Sequence, residues 1–156
     1  MKRERSAERS RQARPPGSRQ ARPSSLTLSR AQWEQMRDYV EAHAPLEACG
    51  LLGGRQGIVA LVIPVKNAAG SPVRFRMEPL EQLKAFEQVE SAGMEVLAVF
   101  HSHPQGPAVP SPTDIAEAFY EVVQVIWSPG EGEWLAHAFW IEAGRAAEFP
   151  LIVTGV

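Results

Sequence analysis

Two histidines one residue apart, His101 and His103, followed by Ser111 and Asp114, form the most chemically specific pattern in this chain of 156 residues. In a β-strand, alternate side chains share a face and the rise is about 3.3 Å per residue. His101 and His103 would therefore stand side by side, roughly 6.6 Å apart at Cα, with Ser102 pointing away. Both imidazoles can then reach one metal ion, and Asp114 adds an oxygen ligand. Three protein ligands with one position left for water describe a catalytic zinc site rather than a structural one. Glu47, in an acidic turn ahead of a buried strand, is the carboxylate such a site needs to take a proton from the water. Each residue also has a plainer reading. A His-x-His pair can be two buried, hydrogen-bonded histidines, and Glu47 an exposed loop carboxylate. Ser111-Pro112-Thr113-Asp114 also reads as a helix start, with serine at the N-cap, proline at N1 and an acid at N3. Both functions of Asp114 can coexist, with its carboxylate shared between the Ser111 backbone N–H and the ion.

The elements that hold these residues can be read from periodicity. Ser29 is an N-cap for a helix over RAQWEQMRDYVEAHA, where Trp33, Met36, Val40 and His43 recur at helical spacing, ending before Pro45. CGLLGG and GIVALVIPVKN read as strands joined by a turn at residues 53–57. A second helix spans 79–92, with Leu80, Leu83, Phe86 or Glu87, and Val89 or Glu90 on successive turns, stopped by Gly93. EVLAVFHSH is a near-continuous apolar strand, so it is expected at the centre of a sheet, buried on both faces, with the histidines at its C-terminal end. A third helix runs from Ser111-Pro112 to about Glu121. Strands follow at VVQVIWS, at EWLAHAFWIEA and near 149–153. The tryptophans at 33, 127, 134 and 140 fall inside these elements and are expected in the core. Helices interleaved with frequent hairpins predict an α/β domain with a mixed sheet flanked by helices.

The pattern Glu47…His101-Ser102-His103, seven residues, then Ser111-x-x-Asp114 resembles the JAMM metalloproteases of the Jab/MPN superfamily, and the spacer 104–110 has the length of that signature. PLEACGLLGG (residues 45–54) is similar to the strand that carries the family's catalytic glutamate. The Pro-x-Glu-x-Cys-Gly segment and Asn67 resemble the small prokaryotic branch in particular. The likeness runs from about Leu26 to the last residue. It implies the MPN fold, similar in layout to cytidine deaminases, with zinc held by His101, His103 and Asp114. It also implies Glu47 as general base and Ser111 as a hydroxyl supporting the water and the oxyanion of the tetrahedral intermediate. The implied activity is hydrolysis of an amide bond at the C-terminal Gly-Gly tail of a ubiquitin-like or sulfur-carrier protein, as isopeptidase or peptidase. Two other readings stay open: a non-catalytic MPN scaffold, and a DNA-associated protein like the RadC repair domain, to which His-x-His-Pro-x-Gly is also similar. Deaminase chemistry is disfavoured because its HxE…PCxxC pattern is absent.

Charge divides the chain. Residues 1–24 carry eight basic and two acidic side chains, against eight basic and sixteen acidic after them, so the formal net charge of −2 hides a split. RQARP occurs at Arg11 and again at Arg19, without hydrophobic periodicity, and the segment is expected to be a disordered basic tail. Its functional alternative is an arm touching nucleic acid or an acidic partner. Residues 25–156 then form one domain. The tail lacks the apolar stretch of a secretory signal, and no run approaches the roughly 18 apolar residues of a membrane span. Cys49 is the single cysteine, which excludes an intramolecular disulfide and points to a reducing cytoplasm. It is expected to be a small buried hydrophobe rather than a nucleophile.

Overall fold

The computed structural model describes residues 22–118 and 121–155. In chain order the elements are β1 (Leu26–Ser29), α1 (Arg30–His43), β2 (Cys49–Arg55), β3 (Ile58–Val65), α2 (Pro79–Ser91), β4 (Glu95–Ser102), α3 (Pro112–Ala116), β5 (Val123–Pro129), β6 (Trp134–Glu142), β7 (Arg145–Phe149) and β8 (Leu151–Thr154). Among the described residues the strands make one mixed sheet of eight in the order β7-β6-β5-β4-β2-β3-β1-β8. β4 lies in its middle, antiparallel to β2 and parallel to β5. Every residue of β4 after Glu95 is buried, as its unbroken apolar run predicts.

α1 begins at a capping box, in which the Ser29 hydroxyl accepts from the Gln32 N–H and the Gln32 side chain accepts from the Ser29 N–H. Its Met36 and Val40 join Phe100, Val125, Trp127 and Ala138 in the larger core on one face of the sheet. Trp33 packs on Trp127, ring centroids 4.5 Å apart. α2 covers the other face with Ala85, Phe86 and Val89, against Cys49, Leu51 and Val99. The apolar side expected of α2 is therefore only half used. Leu80 and Leu83 are 56% and 50% exposed, because the helix touches the sheet through its C-terminal half.

The strands β7 and β8 lie at opposite ends of the sheet order, yet only Pro150 separates them in the chain. The sheet must therefore curl until its two edges adjoin, and it does so around α1. Trp33 of α1 lines one cleft together with Ala136 and Ala138 of β6 and Leu151 and Val153 of β8. The strand expected near 149–153 is thus two strands. Proline has no N–H for a ladder, and Pro150 marks the crossing, its carbonyl accepting from Leu26 N.

Other expectations shift in detail. The turn between β2 and β3 is only Gln56-Gly57, both at positive φ (51° and 77°), the left-handed pair of a two-residue hairpin. Gly53 and Gly54 belong to the strand, where the register shifts. β1, and β7 up to its last residue Phe149, had no counterpart in the sequence reading. The third helix stops at Ala116 rather than near Glu121, since none of its residues is buried and an unpacked helix this short has little beyond its cap to sustain it. β4 ends at Ser102, one residue before His103. Of the basic segment 1–24, residues 1–21 lie outside the described residues. Arg22 places its guanidinium over Trp140 and Phe149, 5.1 and 5.6 Å from the ring centroids.

A Cβ on Gly54 would sit 1.9 Å from the Ile58 carbonyl oxygen and 2.8 Å from Leu97. Backbone cannot yield there without breaking the hairpin. Gly54→Ala is expected to cost about 1–3 kcal/mol, the range of overpacked sites, read as a lower urea midpoint at unchanged slope. Parental stability would show that this bulge is not a fixed feature of the fold.

Candidate active site

Glu47 stands two residues before Cys49, and Cys49 pairs with His101 across the β2–β4 ladder. Antiparallel pairing thus brings the entry of β2 beside the exit of β4, and residues 54 apart in sequence meet. Past the ladder, Ser102 N donates to the Ala48 carbonyl (3.0 Å) and His103 N donates to the Trp127 carbonyl (2.7 Å). His103 keeps the strand direction although β4 has ended. Its ring shares the face of His101, as the two-residue period requires.

The donor atoms converge. His101 Nε2 lies 3.1 Å from His103 Nε2, and Asp114 Oδ2 lies 3.0 Å from His103 Nε2 and 3.3 Å from His101 Nε2. Glu47, His101 and His103 also offer ligand atoms all within 4.8 Å of one another. Ser111 is brought to the same corner. Its hydroxyl accepts from Asp114 N (3.0 Å) while its own N–H donates to Asp114 Oδ2 (2.9 Å). The capping box and the histidine cluster therefore share one carboxylate oxygen, and the hydroxyl keeps its hydrogen to donate elsewhere.

Hydrogen bonds and burial set the state of each titratable group in this cluster. The Pro107 carbonyl, 2.8 Å from His103 Nδ1, can only accept. Nδ1 therefore carries a hydrogen, so that Nε2 is the nitrogen open to a ligand role once it is unprotonated, the usual tautomer control at metal sites. Burial holds His101 below the ordinary histidine range and so neutral. For His103 burial acts in the same direction, but the contacts with Asp114 and Pro107 outweigh it and raise the group. Asp114 would be raised by burial, yet the two histidines and the Ser111 amide hold it well below the usual carboxylate range. Glu47 goes the other way. It is 4% exposed, and burial, reinforced by Asp114 and opposed by His103, pushes it up to about 7. Among the described residues its Oε1 and His101 Nδ1 are buried atoms with no hydrogen-bond partner. An acceptor with nothing to accept from, beside two nitrogens and an oxygen that crowd together, fits a site completed by an ion and its water.

Around this cluster lie residues that the sequence reading did not assign. Phe75 stacks on His101, centroids 4.4 Å apart and planes 26° from parallel. It borders a cavity of about 220 Å³ shared with Met77, Val99, Gln124, His101 and Asp114. Loop 66–78 carries Phe75 and is organised by Asn67, whose side chain makes four hydrogen bonds. A lone phenylalanine in a loop sends no signal in sequence, because its partner is 26 residues away.

Cys49 points to the same face as His101 but away from chemistry. Its thiol is buried, donates to the Val65 carbonyl (3.3 Å) and is pushed up to about 12 by burial, with Glu47 and Glu81 adding to the effect. A thiol so raised holds almost no thiolate near neutrality. Iodoacetamide at pH 8 should leave Cys49 unmodified in the folded protein and label it fully in denaturant, as counted by intact mass. Rapid labelling of the native chain would show a reactive cysteine.

Comparison with known proteins finds relatives of the chain by sequence and by fold. A family model described as prokaryotic homologs of the JAB domain matches residues 29–142. A probable TtuB-protein conjugate cleaving protease of Thermus thermophilus is 43% identical over 103 residues, 65% of this chain and 69% of that protein. A desampylase of Pyrococcus furiosus is 41% identical over 76 residues, 49% of this chain and 54% of its own. The solution structure of protein DSY2949 from Desulfitobacterium hafniense superposes with a TM-score of 0.76 at 35% identity, covering 84% of this chain and 94% of that one.

Proposed function

The chain belongs to the family of prokaryotic JAB-domain homologues, and from that membership and the geometry of the site we propose that it is a zinc-dependent hydrolase of peptide or isopeptide bonds. Its substrates are conjugates or extensions at the C-terminal Gly-Gly tail of a ubiquitin-like or sulfur-carrier protein, consistent with relatives named as a conjugate-cleaving protease and a desampylase. The fold is the JAB/MPN fold. The observation that carries the reading is the triangle of His101 Nε2, His103 Nε2 and Asp114 Oδ2, with edges of 3.0–3.3 Å. A tetrahedron with metal–nitrogen bonds of about 2.0–2.1 Å has edges of roughly 3.3 Å. In this reading Asp114, in contact with both histidines, is the third ligand. Glu47, whose Oε1 has no partner, is the base.

Zinc, when bound there, supplies the Lewis acidity that makes a water nucleophilic near neutral pH. Glu47 accepts the proton of the attacking water at its free Oε1 and returns it to the leaving amine. The Ser111 hydroxyl donates to the carbonyl oxygen as negative charge grows on it. Phe75 stacks on His101 and shields one side of the site from solvent. A scaffold role is disfavoured by the complete set of donor residues. No helix among the described residues is long and apolar enough to cross a membrane, and the buried reduced thiol suits the cytoplasm.

His101→Ala and Asp114→Ala should each lose most of the zinc that the parent holds at about one per chain, measured by elemental analysis. Glu47→Gln should keep zinc and substrate affinity while single-turnover cleavage of a Gly-Gly fusion falls by ~10²–10⁴. Parental cleavage by Glu47→Gln would end the proposed mechanism, and loss of its zinc would make Glu47 a ligand instead.

The basic segment is outside this chemistry. A chain starting at Ser24 should keep its catalytic efficiency, giving up only the stacking of Arg22, worth about 0.5–1 kcal/mol at an exposed position. A folded, zinc-loaded short form without activity would place the segment in the substrate site.

A further inference from the structure

We propose that Asn67 and Ser102 act together as positioning residues for Glu47, by gripping both polar atoms of the single peptide group that joins Glu47 to Ala48. The proposal rests on Glu47 being the base. The Glu47 carbonyl accepts from Asn67 Nδ2 (3.0 Å). The Ala48 N–H, the other end of the same planar unit, donates to Ser102 Oγ (2.8 Å) in a fully buried bond.

This peptide needs such a grip because it lies just beyond regular structure. The β2–β4 register ends at Cys49↔His101, so no strand carbonyl faces the Ala48 N–H, and the Ser102 hydroxyl takes that place. Without partners at both ends, the unit could swing by opposed changes in ψ of Glu47 and φ of Ala48 while its neighbours stayed still. The carboxylate offers no correction of its own, since Oε1 has no hydrogen-bond partner. Its position is inherited from the backbone.

Both grips are themselves immobile. Asn67 Nδ2 also donates to the Arg74 carbonyl (3.1 Å), and its Oδ1 accepts from Ala69 N (3.0 Å) and Arg76 N (2.9 Å). Its two donors and two lone pairs are all spent. Ser102 is 0% exposed and sits between His101 and His103. The hydroxyl that fixes the base therefore belongs to the same three residues that present both imidazoles, so the distance from base to ligands is set by one short stretch of chain. The serine between the histidines, on the opposite face from the metal donors, in this way has a part in the reaction without touching it.

The test measures kcat of the zinc-loaded, full-length protein on a Gly-Gly-tail fusion, with zinc content and unfolding midpoint in parallel. Ser102→Ala and Asn67→Ala are each expected to lower kcat by roughly 10- to 100-fold, the scale of ångström-sized misplacements, at unchanged zinc content. Ser102→Thr, which keeps the hydroxyl, should stay near the parent. The double variant should lose less than the product of the single losses, because both changes release one peptide group. In a Glu47→Gln background neither change should reduce the residual rate further, a result that a merely structural role would not give. Parental kcat in the single variants, or equal losses with Glu47 already replaced, would overturn the clamp while leaving Glu47 as the base. An active Glu47→Gln would instead overturn the underlying reading, and the clamp with it. Should Ser102→Ala fail to fold, Asn67→Ala in the half-exposed loop decides the matter alone.

Discussion

The antiparallel pairing of β2 with β4, in the register Cys49↔His101, is the constraint on which the site depends. It alone makes the entry of one strand adjoin the exit of the other, and so sets a buried glutamate against two histidines far along the chain. A slip of one residue would turn every side chain of a strand to the opposite face. His101 would then enter the core around Phe100, and Ala98 and Phe100 would face the metal donors. Register is held by glycine as much as by hydrogen bonds. A Cβ on Gly50 would meet the Phe100 ring at 2.4 Å, so that residue pair fits in one alignment only.

The site is organised around charge that the protein alone does not neutralise. Two carboxylates and two imidazoles are drawn into a space where Asp114 is held anionic and Glu47 is lifted toward neutrality. Two environments for two carboxylates are what assign ligand and base. Asp114 accepts from the start of α3 and lies within 3.3 Å of both imidazole Nε2 atoms, whereas Glu47 has no partner at Oε1 and can accept a proton there. The five-residue α3 would have little reason to exist without this exchange. Its capping box is closed through the same oxygen that touches the histidines, so the helix is anchored by the site and the site by the helix.

How much of this could be read from the chain alone depended on range. The spacing of His101, His103, Ser111 and Asp114 is local, and the apolar run of β4 declared itself central, so the architecture and the convergence of these side chains were legible. The helix at 30–43 was visible through its cap and its periodicity. β1 was not, because four residues with two inward leucines are too short to be told from the approach to that cap. β7 was hidden because its exposed residues do not alternate. Leu80 and Leu83 look like core on a helical wheel, but nothing in their periodicity says that the sheet ends beneath them. Least legible were the supports of Glu47. Asn67 and Ser102 stood out only as positions of a resemblance, without a role, and the peptide they hold is identified only once strands 50 residues apart have been laid side by side.

The first and last strands of the domain, β1 and β8, lie together in parallel from Leu26↔Leu151 to Ser29↔Thr154. During synthesis this contact must wait for nearly the whole domain to leave the ribosome, whereas β2, β3 and β4 are complete some fifty residues earlier. Closure of so long a loop is slow relative to hairpin formation. The strands that carry the base and the histidines are thus available to pair, and the site to begin forming, while the wall around α1 is still open. A nascent chain at that stage exposes the core residues Met36 and Phe100 to solvent, and its solubility rests on the later strands arriving to shut the sheet over α1.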